Sequence, residues 1–309
     1  MAVFRYPDTM PQNDKPAIAT VGMFDGVHAG HRHIVSRLLG EAKERGLRPM
    51  VVTFDRHPRC VLGRAGDGFG LLCTLDERLQ RLQSLGDIDI VLLPFTEQFS
   101  RLSACQFLTE VLCQCFNVKA LLLGYDNQFG SRSNSDFDRL PDVAESLGVV
   151  LLHDNPVLIE GVAVSSTRVR KALAAGDVRL ASCLLGYDYS LAGVVEEGRH
   201  VGSQLGIPTA NISLEGQCRM APMDGVYAVR ANLEGRQWQA VANVGTSPTF
   251  GVDKPLIEVH IIGYSGVLYG VRLSVEFVER LRDTQHFDSV DDLRCAMLSD
   301  IEKAKKLLS

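Results

Sequence analysis

Two histidines lie three residues apart where an apolar run gives way to an amphipathic one. The run from Val21 to His31 reads Val-Gly-Met-Phe-Asp-Gly-Val-His-Ala-Gly-His. His28 and His31 should project to the same side of a helix start, and Gly30 lets a phosphate or a flat base approach the backbone. Because a helix amino terminus favours anions, the segment predicts an ATP site whose imidazoles and helix dipole neutralise charge during nucleotidyl transfer.

Two other interpretations of this histidine pair start from the same residues. Either imidazole could simply cap or decorate a helix start. A metal site is the second alternative, but it lacks a third ligand at plausible spacing because His33 points elsewhere on the helix.

A second candidate anion site occurs later in the same half, in the run Val-Ser-Ser-Thr-Arg-Val-Arg. Ser165, Ser166 and Thr167 can cap a helix while they expose hydroxyls and amides to an anion. Arg170 adds a guanidinium one turn later, which suits a triphosphate. By itself the run is an ordinary helix cap, so its functional meaning depends on the histidine motif.

The second half of the chain contains a glycine-rich stretch that leads from one strand into another. Gly198, Gly202 and Gly206 permit a tight loop whose amides could surround phosphates, and no Gly-Lys-Ser/Thr follows to make it a P-loop. Thr209 and Asn211 offer a hydroxyl and an amide oxygen on one side of an extended segment, which are oxygen ligands that suit Mg²⁺. A plain glycine-rich β turn is the alternative.

An apolar strand-like run near the end of the chain carries two polar residues at alternate positions, Glu258 and His260. Both side chains must share one face of the strand. If that face lines a pocket, Glu258 can accept the proton of an alcohol that attacks the γ-phosphate of ATP. If the face is solvated, the two residues are only its polar side.

The secondary-structure elements that position these residues show two different hydrophobic patterns along the chain. Up to about Tyr187, short apolar runs alternate with amphipathic helical patterns, which predicts a Rossmann-like α/β domain with a parallel sheet. Two of the predicted helices are His28 to Arg45, which ends at Gly46, and Ser103 to Phe116. Beyond Tyr187, alternation with a period of two predicts a small antiparallel β domain with a hairpin turn at Glu234 and Gly235, and this domain closes with a helix from Val290 to Leu308. The sequence therefore predicts two domains, residues 1–186 and 187–309.

Composition restricts the classes of protein that this chain could be. Of its 309 residues, 46% are hydrophobic and 22% are charged, which is typical of a globular protein. The net charge is -5 and the basic residues form no cluster of the kind that binds nucleic acid. No apolar run approaches a membrane span and no leader is readable, so a cytoplasmic location is expected. The eight cysteines show no C-x-x-C spacing, which favours reduced thiols. The oligomeric state stays open.

Four motifs in the first half and four in the second occur in an order that resembles the bacterial bifunctional riboflavin kinase/FMN adenylyltransferases. The first half has the histidine run, Thr-Phe-Asp-Arg-His-Pro at 53–58, Gly-Tyr-Asp-Asn-Gln-Phe-Gly at 124–130 and Ser-Ser-Thr-x-x-Arg at 165–170. The second half has the glycine-rich loop, Pro-Thr-Ala-Asn at 208–211, Asn-Val-Gly-Thr-x-Pro-Thr-Phe at 243–250 and Glu-Val-His at 258–260. Together they cover most of the chain from Val21 to about Asp300.

The resemblance implies two ATP-dependent steps, riboflavin to FMN in a β-barrel and FMN to FAD with release of pyrophosphate in the α/β half. It implies that Glu258 is the kinase base and that Thr209 and Asn211 bind Mg²⁺. ATP would be bound in the first half by Gly22, Phe24, Gly30, His28, His31, Ser165, Ser166, Thr167 and Arg170, and in the second by Gly198, Gly202 and Gly206. The flavin side of the first half would include Asp25, Thr53, His57, Pro58, Gly124, Asp126 and Phe129.

The chain departs from the common pattern of that family at a few positions: Arg56, Asn127, Gln128, Ser203 and Ser247. The departures at 203 and 247 remove positive charge, so the kinase site could bind ATP less tightly. Two rival functions stay open. One is nucleotidyl transfer to another phosphate acceptor, which leaves the second half unexplained, and the other is a flavin-binding protein that has lost catalysis.

Overall fold

The computed structural model describes residues 2–10, 15–63, 69–125, 137–197, 202, 205–214, 216–249 and 252–309, with the side chains of 246–249 and 252–255 left aside. The chain forms two compact units. The first consists of Met1–Phe69 and Cys73–Val164, and the second of Gly70–Leu72 and Ser165–Ser309. The boundary between the units therefore precedes the helices at 166–185. The predicted division at residue 187 stays a prediction.

A six-stranded parallel sheet forms the centre of the first unit. The strand order is β1-β4-β3-β2-β5-β6. Apolar residues point alternately to its two faces because successive side chains of a strand do so, and each face is covered by helices. The strands are β1 Val3–Arg5, β2 Ala17–Val21, β3 Arg48–Phe54, β4 Asp89–Leu93, β5 Val118–Leu123 and β6 Val150–His153.

Helix α1, Ala29–Arg45, covers one face of the sheet with Ile34, Val35 and Leu38. It ends where predicted, at Gly46, whose φ of 65° suits glycine because other residues avoid the left-handed region. The other helical segments of this unit are α2 Pro58–Val61, α3 Leu75–Gln83, a 3₁₀ turn Phe99–Arg101, α4 Ala104–Gln106, a π-helix Phe107–Cys113, α5 Gln114–Phe116 and α6 Leu140–Ser146.

The structure differs from the sequence prediction in two places of this unit. The segment 103–116 begins with a capping box between Ser103 and Gln106, as a helix should, but continues as a π-helix before it returns to α geometry. Strand β1 was not anticipated, because its three residues are only partly buried and form no periodic pattern.

A closed six-stranded antiparallel barrel, in the order β10-β13-β12-β11-β14-β9, forms the centre of the second unit. The predicted hairpin turn at Glu234 and Gly235 is present, and both residues have positive φ. The last strands of the first unit are two residues long each and form a hairpin, β7 Leu158–Ile159 and β8 Val162–Ala163. The elements of the second unit are α7 Ser166–Ala174, α8 Val178–Leu185, β9 Ser190–Glu196, β10 Ala210–Ser213, β11 Gly225–Leu233, β12 Arg236–Thr249, β13 Val252–Ile261, β14 Arg272–Arg282 and α9 Val290–Leu308. The predicted pair of architectures is confirmed.

Candidate active sites

The parallel sheet has its topological switch point at β2. The chain passes from β2 to β3 on one side, whereas β5 lies on the other side of β2. In open parallel sheets the crevice at the carboxyl ends of such strands is where ligands bind. The segment that leaves β2 is Gly22–His28, so the histidine motif lies at the expected position.

The loop between β2 and α1 has a strained backbone. Phe24 and Val27 have φ values of 51° and 38°, although neither residue is glycine. Such conformations cost about 1–3 kcal/mol each and are kept only where surrounding contacts enforce them. Both side chains are buried in the core, and a Cβ at Gly22 would come within 3.2 Å of the Phe24 ring. The strain is located where the loop must present the start of α1.

Buried polar groups fix this loop to its surroundings. The hydroxyl of Thr53 donates to the carbonyl oxygen of Met23 at 3.2 Å. The amide of Cys73 donates to a carboxylate oxygen of Asp25 at 3.3 Å, and the amide of Gly26 donates to the Cys73 sulfur at 3.1 Å. Asp25 and Thr53 were expected on the flavin side, and that role stays a prediction because these contacts are internal to the fold.

His28 and His31 lie together as predicted. Their rings stack with centroids 3.6 Å apart and an angle of 15° between planes. His28 is the N-cap of α1, and its Nδ1 accepts a hydrogen bond from the backbone amide of His31 at 3.3 Å. A neutral His28 must then carry its proton on Nε2, which makes that nitrogen the hydrogen-bond donor of the ring.

The environment of His31 disfavours its charged form. Burial, the neighbouring His28 and the guanidinium of Arg78 lower the pKa of His31 well below its usual range. Among the described residues, Nδ1 of His31 is buried and has no hydrogen-bond partner. An unpaired buried polar atom costs about 1–3 kcal/mol, so this nitrogen is available to a ligand that enters the site.

The low pKa of His31 predicts a pH-dependent stability. The unfolded chain takes up a proton at this residue near pH 6.5 while the folded chain does not, so protonation favours unfolding. We expect the free energy of unfolding of the wild type to fall more than that of His31→Asn between about pH 7.5 and about pH 5.5. Urea unfolding at the two pH values measures this difference, and equal losses would contradict the prediction.

The second candidate anion site, Ser165 to Arg170, lies at the start of α7. Ser165 is the N-cap and accepts a hydrogen bond from the amide of Arg168 at 3.2 Å. Nε of Arg170 donates to the carbonyl oxygen of Gly70 at 2.7 Å. Ser166 and Thr167 occupy the first turn. Within the first unit, the carbonyl oxygen of Val164, the residue before Ser165, lies 3.7 Å from the position that a Cβ at Gly30 would take. Binding of ATP by this candidate anion site stays a prediction.

The remaining predicted flavin residues are only partly described. His57 is the N-cap of α2 and its Nδ1 accepts from the amide of Arg59 at 3.2 Å, with Pro58 as the first helical residue. Gly124 directly follows β5. Several positions lie outside the described residues: Asp126, Asn127, Gln128, Phe129, Gly198 and Ser203, together with the side chain of Ser247.

A cavity of about 680 Å³ lies in the second unit. It is bounded by the outer face of the barrel, by the segment 284–289 and by α9. Its lining includes four residues predicted for the kinase site, namely Gly202, Thr209, Asn211 and Glu258. The structure therefore brings together groups that are far apart in the sequence.

Strand register explains how Glu258 is placed. Glu258 on β13 pairs with Asn211 on β10 and with Asn243 on β12, so a carboxylate stands between two amides on one face. The next residue, Val259, pairs with Ala210 and Ala242 on the opposite, buried face. Because neighbouring residues alternate, this register places Glu258 on the face that lines the cavity, and its role as a base stays a prediction.

The glycine-rich loop contacts the predicted Mg²⁺ ligands. A Cβ at Gly202 would lie 2.4 Å from the carbonyl oxygen of Ile207 and 3.2 Å from the hydroxyl of Thr209, so only glycine fits there. Gly206 has a φ of 75°. Among the described residues, Oδ1 of Asn211 is buried and has no partner. An acceptor oxygen without a protein donor suits a cation.

Sequence reasoning missed the part of the cavity made by the end of β14 and by α9. Arg282 binds the carboxylate of Asp300 through Nε at 3.2 and 2.9 Å and through Nη2 at 2.9 Å. Asp300 is only 2% exposed, so this pair fixes α9 against the barrel. An acidic residue at a core position of an amphipathic helix was the one signal that could have indicated this contact.

Comparisons with known proteins match both halves of the chain to one family. A family model described as FAD synthetase matches residues 10–168, and one described as riboflavin kinase matches residues 185–308. The chain is 38% identical over 291 residues to the bifunctional riboflavin kinase/FMN adenylyltransferase of Pseudomonas fluorescens, which covers 94% of this chain and 92% of that protein. Its identity to the protein of the same description from Escherichia coli K12 is 34% over 284 residues, with 92% and 90% covered.

One solved structure is similar over the whole chain. It is described as a macrolide-efflux protein from Streptococcus pneumoniae, with a TM-score of 0.87, 29% identity and 99% of both chains covered. Within the part of the present chain that is described, no helix has the length and apolar character required to cross a bilayer.

Proposed function

Because this chain belongs to the family of bifunctional riboflavin kinase/FMN adenylyltransferases, which convert riboflavin to FMN and FMN to FAD with ATP, we propose that each unit carries out one step with the residues described above. The barrel unit phosphorylates riboflavin, and the parallel-sheet unit transfers the adenylyl group to FMN. The observation that carries this division is the placement of Glu258 in the barrel cavity, apart in sequence from the stacked histidines of the sheet unit. The proposal also places both steps in the cytoplasm.

In the kinase step, Glu258 accepts the proton of the riboflavin hydroxyl as that oxygen attacks the γ-phosphorus of ATP. The oxygen–phosphorus bond forms while the bond to the ADP leaving group breaks. The flanking amides of Asn211 and Asn243 support this role, since they can orient the alcohol and the carboxylate on the same face. Gly202 and Gly206 let the loop approach phosphates closely.

Thr209 and Asn211 fit Mg²⁺, because both offer hard oxygen donors and Oδ1 of Asn211 is buried without a partner in the described structure. The ion would neutralise phosphate charge in the kinase site. In the same described part of the chain, no cluster of three or more His, Cys, Asp or Glu side chains could hold a metal.

Replacing Asn211 with leucine is expected to raise the Mg²⁺ concentration required for half-maximal FMN formation by about tenfold or more, because a ligand oxygen is lost. FMN adenylylation should keep its Mg²⁺ dependence, since Asn211 lies in the barrel unit. Titration of Mg²⁺ in separate kinase and adenylyltransferase assays measures both. An unchanged kinase titration would remove Asn211 from the ligand set.

In the adenylyl step, a phosphate oxygen of FMN attacks the α-phosphorus of ATP and pyrophosphate leaves. His28 can donate from Nε2, and His31 can donate from its unpaired Nδ1 in the tautomer that carries the proton there, so both can bind phosphate oxygens while charge builds up in the transition state. The positive end of α1 adds to this stabilisation. The ATP role that the sequence predicts for Ser165, Ser166, Thr167 and Arg170, which belong to the second unit, stays a prediction.

The decisive experiment incubates the purified chain with riboflavin, ATP and Mg²⁺ and separates the flavins by chromatography at several times. FMN should appear first and FAD later. A second incubation that starts from FMN tests the adenylyl step alone. If neither FMN nor FAD forms, the proposed function is overturned.

A further inference from the structure

Arg78 on α3 links the ends of two neighbouring strands of the parallel sheet. Its Nη1 donates to the carbonyl oxygen of Met23, which follows β2, at 2.8 Å. Its Nη2 donates to the carbonyl oxygen of Phe54, the last residue of β3. The side chain is buried, with 4% of its surface exposed. One planar guanidinium therefore fixes the spacing between the strand that leads to the histidine motif and its neighbour.

Among the residues that the structure describes, no carboxylate forms a direct ion pair with Arg78. Neither of its described contacts is with a carboxylate, and Nε is buried without a partner within the described residues. The carboxylates of Asp25 and Asp55 and the thiol of Cys73 act on it electrostatically, and burial lowers its pKa from the usual value of an arginine. A buried cation without an ion-pair partner is costly, so this arrangement suits a site that receives an anion.

The same guanidinium acts on the histidine motif. The charged or titratable groups that influence His31 are His28 on its own helix and Arg78 on α3, and both act against a proton on its ring. The loop that Arg78 holds through Met23 is the one that contains the positive φ values of Phe24 and Val27. Arg78 therefore acts on the two histidines in two ways: it holds the loop that precedes them, and its charge lowers the pKa of His31.

We propose that Arg78 is a positioning residue for adenylyl transfer, whose two bonds to backbone carbonyls hold the loop from Met23 to His28 in the shape that presents His28 and His31 to ATP. This inference rests on the proposed function of the sheet unit. The positive charge also disfavours a second proton on His31, so the ring stays a neutral imidazole with one N–H that can donate to a phosphate oxygen. Nothing in the proposal requires Arg78 to touch the substrate.

The test compares Arg78→Met, which removes both the bonds and the charge, with Arg78→Lys, which keeps the charge but cannot bond two carbonyls with one planar group. We expect kcat for FAD formation from FMN to fall by roughly 100-fold in Arg78→Met, since small misplacements of catalytic groups have effects of this size. Arg78→Lys should lose less. FMN formation from riboflavin, measured on the same sample, should stay within about twofold because the barrel unit is untouched.

A pH profile of kcat/KM separates positioning of the histidines from simple destabilisation. Loss of the positive charge should move the acidic limb of the FAD reaction toward neutral pH in Arg78→Met, while Arg78→Lys should keep the wild-type limb. Arg45→Met is the matched control. Arg45 is the last residue of α1, the helix that begins at the two histidines, and it pairs with Glu41 at the surface. It should leave rate and profile unchanged.

Three outcomes would overturn the inference while the wild type still makes FAD. One is an unchanged kcat in folded Arg78→Met, and another is a loss of kcat with no shift of the pH profile in either variant. The third is a loss of FAD formation in both variants that thermal unfolding at the assay temperature fully explains. If the wild type itself makes no FAD from FMN, the proposed function fails instead, so the two failures are distinguishable.

Discussion

Replacing Glu258 with glutamine is expected to lower the rate of FMN formation by about 10²- to 10⁴-fold, the usual contribution of a general base. Glutamine keeps the size of the side chain and its place between Asn211 and Asn243, but it cannot accept the alcohol proton. Conversion of FMN to FAD should continue at the wild-type rate. Separate assays that start from riboflavin and from FMN measure the two rates.

Glu196 supplies a matched control for this experiment. It lies on β9 opposite Asn211 of β10, so it shares a face with Glu258 but is two strands away from it. Its side chain is exposed. Glu196→Gln removes the same charge from the same surface without reaching the alcohol, so both rates should stay near wild type. If Glu258→Gln still forms FMN at more than about a tenth of the wild-type rate, Glu258 is not the base.

His31→Ala is expected to have the opposite pattern. FAD formation from FMN should fall by about 10²- to 10³-fold, the effect of removing one preorganised donor to a charged transition state. The loss should appear mainly in kcat, since stabilisation of the developing charge is stronger in the transition state than in the bound substrate. FMN formation from riboflavin should persist, and it also reports that the chain has folded.

His33→Ala is the control for the histidine experiment. His33 lies on the same helix two residues further on, but it is exposed and its Nε2 lies 3.4 Å from Asp154. Loss of this contact should leave both rates near wild type, because the buried Asp154 keeps its ion pair with Arg37 at 2.7 Å. A His31→Ala protein that lost both FMN and FAD formation would contradict the assignment of the two steps to separate units.

Much of the fold could be predicted from local patterns. The apolar runs of β2, β3 and β5 and the helical spacing of α1 indicated a parallel sheet, because strands covered on both faces need continuous apolar sequence. Gly46 and the turn at Glu234 and Gly235 were readable since positive φ has a sequence signature. The π-helix and β1 were not, because their geometry depends on partners that are distant in the sequence.

The sequence by itself determined which chemical groups are present and which of them are neighbours along the chain. Two histidines three apart on a helix must share a side, and Glu258 must share a face with His260, since helical and strand periodicity are local properties. The same local logic placed Ser165 as a helix cap.

Only the tertiary structure decided the environments of these groups. Strand register placed Asn211 and Asn243 on either side of Glu258, and the pair of Arg282 with Asp300 closed the cavity with α9. Burial, His28 and Arg78 together disfavour the charged form of His31, which no spacing of residues could indicate. Register, burial and buried charge arise from contacts between distant segments, so they exist only once the chain has folded.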